Sequence, residues 1–359
     1  MDFIPPICHI CIIIEHTMKI YYTHIHEKHD PLYEGYNAEG NMPSYEKALR
    51  AEIVRTALEN TNWAEFQSPS NFSLDPILAV HSAAYIAYLQ SAYADWRGYS
   101  PVEGMAFIPG TYSIDYEQAR SLRGNEQSGF FLMDTTVAIT PGTFTAARHA
   151  VDCALSGAQA LITGDYVSFA LTRPPGHHAG TEICGGYCYL NNAAIAAEWL
   201  SHTGKIAILD VDYHAGNGTQ HIFYQNPHVL TLSLHADPAF EYPYYGGLAE
   251  QTGEGPGFGF HRNFPLPKDT NQSQYLKALD QALKLIITFN PKYLIVSAGM
   301  DTYYKEPLGS FKLSQECINR IGKQVASLRL PTLIVMEGGY HLPSLGDNFV
   351  AFLEPFVEK

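Results

Sequence analysis

An α/β fold on a mostly parallel sheet is what this chain predicts, and three observations carry the prediction. Short apolar, β-branched runs alternate with amphipathic segments of helical period. The runs are continuously apolar rather than alternating, as in strands covered on both faces. Each of the later runs ends in polar, often glycine-containing sequence before the next helix, the place where such sheets bind ligands.

The elements follow in order. Met18–Tyr22 reads as the first strand and Thr23–Met42 as a long polar and aromatic loop. Ser44 is placed to cap a helix in which Leu49, Ile53, Val54, Ala57 and Leu58 share a face. Ala83–Ala94 is a second amphipathic helix. Arg97–Gly129 has little periodicity, and a structureless loop of that length is usually functional. Pro141-Gly142-Thr143 opens the alanine-rich helix Phe144–Ile162. The strand Tyr166–Leu171 then runs into Arg173-Pro174-Pro175-Gly176-His177-His178. Asn191–His202 is helical, and Ile206–Val211 and Val229–Leu234 are strands. The helix Gln274–Ile287 leads into the strand Tyr293–Ala298, which ends at Gly299-Met300-Asp301. Ser314–Ser327 turns Ile318, Ile321 and Val325 inward, and the last strand, Thr332–Met336, ends at Glu337-Gly338-Gly339-Tyr340.

At 359 residues the chain exceeds the usual single core, but it contains no linker, repeat or low-complexity tract. One domain is expected over 18–359, with Met1–Thr17 an extension outside the fold. That opening has no basic start and is too short to span a bilayer, so neither a leader nor a membrane partner is expected. Cys8 and Cys11 have metal-knuckle spacing without a second pair. The other cysteines are dispersed, which fits a reduced cytoplasmic chain better than a disulfide framework; Cys184 and Cys188 read as small wall residues. A formal charge of −14 with scattered basic residues argues against nucleic acid and draws cationic molecules toward the protein.

Asp210, Asp212 and His214 share one parity, so in extended chain they project to one side at a strand mouth. Two carboxylates and an imidazole there are satisfied by a divalent metal; the plainer reading is an acidic strand end capping the next helix. Asp301 taken singly is an N-cap, Gly338-Gly339-Tyr340 a tight turn, and His177-His178 a structural pair. All of them follow strands, however, and so meet at one rim. Asp212, His214 and Asp301 then supply the three ligands of a catalytic zinc site. His177 and His178, oriented by Asp210 and Asn217, can move protons, and Tyr340 can donate to a developing oxyanion. That combination describes amide hydrolysis.

At these residues the chain resembles the zinc-dependent deacetylase superfamily of histone deacetylases and acetylpolyamine amidohydrolases, nearest to the latter. The likeness lies in Arg173–Ala179, Gly185–Asn192, Asp210–Gln220, Ser233-Leu234-His235, Asp301-Thr302 and Glu337–Tyr340. It implies an arginase-like three-layer fold with an eight-stranded sheet. Asp212, His214 and Asp301 match the zinc ligands, His177 and His178 the tandem histidines, and Tyr340 the carbonyl-polarising tyrosine. Gly186, Tyr187 and Tyr242 fall in the walls of the acyl channel. Potassium is implied near Asp210, Asp212, His214, Ser233 and Leu234, with a second ion around Phe223, Asn226 and Val229. Ala215 replaces a second histidine after the ligand. Thr23–Met42, which in acetylpolyamine enzymes narrows the channel and builds the dimer, aligns poorly, with Pro31 near the substrate-facing acid; Asp30, Glu34 or Glu126 can take that role. A binuclear ureohydrolase is disfavoured because Gly216 and Gly299 stand where a second metal needs carboxylates. The expected activity is removal of acetyl or short acyl groups from acetylpolyamines by one zinc per chain, with deacylation of acyl-lysine in proteins as the alternative.

Overall fold

The computed structural model describes residues 17–37, 40–99, 106–108 and 127–358. The expected extension before residue 17, the pair Cys8 and Cys11, and Glu126 lie outside the described residues. Within them, eight parallel strands form one sheet in the order β4-β1-β5-β10-β9-β6-β7-β8. These are β1 Met18–Tyr21, β4 Ala64–Gln67, β5 Val167–Ala170, β6 Ile206–Asp210, β7 Val229–Ala236, β8 His261–Leu266, β9 Tyr293–Ala298 and β10 Thr332–Met336. The sheet is α/β and of the kind expected. Strands β5, β6, β7, β9 and β10 are buried along their whole length. That requires helices on both faces. Along β9, Leu294, Val296 and Ala298 pack on one side with the helices Gln272–Phe289 and Gln315–Ala326, and Tyr293 and Ile295 pack on the other with Thr143–Ile162 and Asn192–Ser201.

Two edge strands are absent from the sequence reading. Ala64–Gln67 is four residues long and only partly buried, so it has no apolar run to detect. His261–Leu266 is polar and contains Pro265, which an edge strand tolerates. Thr23–Met42 is also more ordered than a loop. It holds a 3-10 helix, His24–Lys28, capped by Thr23, and the antiparallel strands β2 Tyr33–Asn37 and β3 Gly40–Pro43. Ser44 does not cap the next helix. That helix is Ala48–Glu59; Asp30 Oδ1 accepts from Ala48 N at 2.7 Å, while Ser44 Oγ turns to the Glu46 carbonyl. Its buried face is Arg50, Ala51, Val54 and Leu58, whereas Leu49 is 52% exposed. An arginine inside an apolar stripe is the feature that displaces the expected face.

Among the described residues no helix is long and apolar enough to cross a membrane. Cys153, Cys184, Cys188 and Cys317 are buried free thiols.

Candidate active site

His177-His178, Asp210–His214, Asp301 and Tyr340 sit at or just beyond the carboxyl ends of β5, β6, β9 and β10. Asp210 closes β6, in register with Ser233 of β7 and Ser297 of β9. Beyond it the chain does not stay extended. Asp210 Oδ1 accepts from Asp212 N (3.0 Å) and Asp212 Oδ1 from His214 N (2.8 Å), successive side-chain-to-backbone turns that curl the segment. These turns, rather than extended-chain parity, bring Asp212 and His214 together.

Asp301, after β9, completes the cluster. The ligand atoms of Asp212, His214 and Asp301 lie within 4.8 Å of one another, and the group can hold a metal ion. Asp212 Oδ2 accepts from Gly338 N at 2.8 Å and Asp301 Oδ1 from Tyr213 N at 2.8 Å. Their other oxygens, Asp212 Oδ1 and Asp301 Oδ2, stand 3.3 and 3.1 Å from His214 Nδ1. The outer oxygens are thus fixed by backbone donors and the inner ones aim at one point, as a metal centre needs. Burial works against a charged imidazole at His214, but the two carboxylates overrule it and push its pKa up to about 10. The field at that point favours a cation.

Gly299 and Gly216 have no room for a side chain. A Cβ on Gly299 would lie 1.9 Å from Asp212 Oδ2, and one on Gly216 2.3 Å from Asp210 Oδ2. The carboxylates of a binuclear centre therefore have no place in this backbone.

The loop after β5 presents the two histidines. Glu337 Oε2 accepts from Gly176 N (2.7 Å) and His177 N (3.2 Å), tying that loop to the end of β10. His177 Nδ1 lies 2.9 Å from Asp210 Oδ2, and His178 Nδ1 2.6 Å from Asn217 Oδ1, the partners expected for each. Their environments differ. Burial depresses His177, but the Asp212 and Asp210 carboxylates outweigh it and hold the imidazole well above its ordinary pKa. Burial and the neighbouring His177 charge hold His178 well below. The two imidazoles are thus pushed in opposite directions by their surroundings.

Tyr340 enters from the turn after β10, and burial keeps its phenol protonated. Two residues with no signal in the motif reading position it. Arg50 stands 4.6 Å over the Tyr340 ring and donates to the Gly339 and Glu337 carbonyls at 2.7 and 2.6 Å. Glu306 Oε2 and Oε1 accept from Tyr340 N and His341 N at 2.8 and 2.9 Å. Its carboxyl is pushed up to about 8 by burial and by Asp301. Arg50, four residues before Val54 and eight before Leu58, shares their buried face, and that spacing is the signal that could have found it; Glu306 carries no such mark.

A cavity of about 550 Å³ opens over this centre, lined by His178, His214 and Tyr340 below and by Gly186, Tyr187, Tyr242, Glu34 and Glu241 along its walls. The His178 and Tyr242 rings meet edge to face at 4.9 Å, and Tyr187 faces Tyr340 at 5.6 Å. Gly186 is required where it stands, since a Cβ there would lie 2.3 Å from His178 Cδ2. Asp134, also missed, holds this wall by accepting from Gly186 N (2.9 Å) and the Tyr242 hydroxyl (2.6 Å). Of the acids offered for substrate contact, Glu34 lines the cavity and accepts from the Tyr187 hydroxyl at 2.8 Å. Asp30 instead caps a helix.

Ser233 and Leu234 lie in β7 beside Asp210, and Ser233 Oγ bonds His235 Nδ1 at 2.7 Å. Phe223 ends the helix Asn217–Phe223, Asn226 N donates to the Phe223 carbonyl at 2.9 Å, and Val229 opens β7.

Residues 44–355 match the family model of the histone deacetylase domain. The chain is 40% identical over 320 residues to acetylpolyamine amidohydrolase 1 of Pseudomonas aeruginosa, covering 88% of this chain and 92% of that one. To acetylpolyamine amidohydrolase of Mycoplana ramosa it is 38% identical over 340 residues, covering 94% and 99%. Among solved structures, acetylpolyamine aminohydrolase from Burkholderia pseudomallei superposes with a TM-score of 0.90 at 34% identity, over 95% of this chain and 98% of that one.

Proposed function

The chain belongs to the histone deacetylase domain family, and from that premise we propose that it is an amidohydrolase that removes acetyl groups from acetylpolyamines. The observation that carries the reading is the meeting of His178, His214 and Tyr340 on the floor of one cavity, with Asp212 and Asp301 gathered against His214. Its donor set, one imidazole and two carboxylates with backbone donors behind them, fits a single zinc ion. Zinc, when bound by Asp212, His214 and Asp301, supplies a Lewis acid for the acyl carbonyl and for the attacking water.

The chain's own groups do the rest. Asn217 Oδ1 accepts a hydrogen bond from His178 Nδ1–H, which leaves Nε2 free to accept a proton from water and return it to the departing amine. His177, hydrogen-bonded to Asp210 through Nδ1, lies against His178 with ring centroids 4.0 Å apart and holds it in place. The Tyr340 hydroxyl donates to the oxyanion as it develops, and Arg50 and Glu306 fix the turn that carries it. Tyr187 and Tyr242 flank the acyl stem and exclude water. Glu34 and Glu241 offer negative charge to the ammonium groups of a polyamine.

The same reading includes structural potassium at Asp210, Asp212, His214, Ser233 and Leu234 and at Phe223, Asn226 and Val229. A buried Asp210 carboxylate supports the first of these. It also includes a cytoplasmic location and a homodimer through Thr23–Met42, supported by the exposure of Leu32 and Tyr33 on that segment. Turnover of N-acetylputrescine beside an acetyl-lysine peptide by the zinc-loaded enzyme tests the substrate. Release of acetate from the polyamine is expected; turnover of the peptide alone would assign a protein lysine deacylase instead.

A further inference from the structure

Two buried arginines stand behind the reactive groups, one for each side of the reaction. Arg50 lies over the Tyr340 ring and holds the carbonyls of Glu337 and Gly339, so it steadies the turn that carries the oxyanion donor. Arg173 opens the loop that carries His177 and His178. Pro174 and Pro175 follow it, and their locked φ angles make a stiff path from the guanidinium to the imidazoles.

Both guanidiniums end on one atom. Glu46 Oε1 accepts from Arg50 Nη1 and from Arg173 Nε, each at 2.8 Å, and all three side chains are buried. Glu46 Oε2 takes no hydrogen bond, and His29 Nε2 stands 4.0 Å from it. A single carboxylate oxygen therefore joins the two arms.

We propose that Glu46 is a positioning residue that holds the general base and the oxyanion donor at a fixed separation, by clasping Arg50 and Arg173 together behind the cavity floor. Such a role presupposes the acyl-amine hydrolysis proposed above.

Neutralising two buried cations asks only for an anion near them. The arrangement here is more exacting, because charge-assisted bonds to one shared oxygen are directional and set the distance between the two forks. The histidine loop shows why a clasp at this place matters. Glu337 Oε2 already pins it in front, at Gly176 N and His177 N, and Glu46 pins it behind, at Arg173. A segment fixed at one end can pivot, whereas one fixed at both cannot. A shift of about 1 Å between reacting groups can lower a rate by about a hundredfold.

Glu46→Asp tests the proposal, since it keeps the charge and withdraws the carboxylate by one methylene. The zinc-loaded enzyme is assayed on whichever of N-acetylputrescine and the acetyl-lysine peptide the wild type hydrolyses, so a wrong substrate assignment leaves the comparison intact. The variant is expected to lose at least about tenfold in kcat. KM should stay within about twofold, with zinc content unchanged. In a Tyr340→Phe background, where no donor is left to be placed, the same substitution should cost less than about threefold. Hydrogen exchange followed by mass spectrometry gives a readout independent of turnover. Amides in 176–178 and in 339–341 should both exchange at least about threefold faster in Glu46→Asp than in wild type. Should Glu46→Asp not fold, Arg173→Lys opens the other end of the clasp and the same comparisons apply. Wild-type kcat in the aspartate variant would reduce Glu46 to a counter-charge. An equal loss in both backgrounds, or faster exchange confined to the helix Ala48–Glu59, would likewise overturn the proposal. Failure of the hydrolytic reading is distinct, because wild type would then turn over neither substrate.

Discussion

The floor and the walls of the cavity are built in opposite ways. At the floor, each reactive group is fixed by short, redundant bonds that tie the exits of β5, β6, β9 and β10 together. Asp212 alone accepts from His214 N and Gly338 N and stands 3.3 Å from the His214 ring. The walls come from segments far apart in sequence, and each piece has few anchors. Glu34 belongs to the β2–β3 hairpin, Tyr187 to the loop before Asn192–Ser201, and Tyr242 to the loop after β7. The lesson is a division of labour: the floor sets what reaction occurs, and the walls set which amine reaches it. Floor substitutions should therefore lower kcat by large factors, and wall substitutions should move KM by small ones.

The sharpest break of that contrast is at His178 and Tyr340. His178→Ala removes the proton carrier and should reduce turnover by about 10²–10⁴-fold, and Tyr340→Phe by about 10²–10³-fold. Zinc content should be unchanged in both, measured by metal analysis beside steady-state kinetics. A near-wild-type rate in either would undo the role assigned to it. One step out, Glu306→Gln loses one of the two carboxylate oxygens that accept from Tyr340 N and His341 N. A fall in kcat of about tenfold with little change in KM is expected, since about 1–1.5 kcal/mol of positioning is lost. A rise in KM at constant kcat would place Glu306 among the walls instead.

Glu34→Gln tests the wall itself. The amide oxygen can accept from the Tyr187 hydroxyl or from Tyr45 N but not from both, so the charge and one acceptor are removed together. KM for a cationic acetylpolyamine should rise by about three- to tenfold, and a neutral acetylated amine of similar length should be indifferent. An equal effect on both substrates would mean that Glu34 shapes the wall rather than attracts charge.

The smallest expected effect lies away from the cavity. Burial lowers His81 to about 4, against an ordinary value near 6.5, while its Nε2 accepts from Asn191 N at 3.0 Å. The folded state binds fewer protons there than the unfolded chain. Its contribution is therefore complete above about pH 6.5 and is lost as pH falls toward 4. Thermal midpoints across that window should drop more steeply in wild type than in His81→Gln.

The same contrast explains what could be read from sequence. The floor was legible because a strand exit writes its chemistry into a few adjacent residues, as in Asp210-Val211-Asp212-Tyr213-His214. The middle strands were legible because full burial demands unbroken apolar runs, and Tyr293–Ala298 and Thr332–Met336 match to the residue. Edge strands lack that demand, so Ala64–Gln67 and His261–Leu266 escaped. Ser44 has the right side chain for a cap, but Asp30, eighteen positions before Ala48, provides the acceptor. Glu306 and Asp134 act on backbone groups distant in sequence, and nothing local marks them.

The placement of β10 has a further consequence. It is the last strand in the chain, yet it lies inside the sheet, between β5 and β9. While the protein is being synthesised, the two flanking portions of the sheet each present a bare inner edge until residue 336 has emerged from the ribosome. Unpaired edges of that kind recruit other chains. Premature termination shortly before Thr332 should therefore give insoluble fragments rather than a weakened enzyme, and growing chains have most need of chaperone protection until Thr332–Met336 has been made.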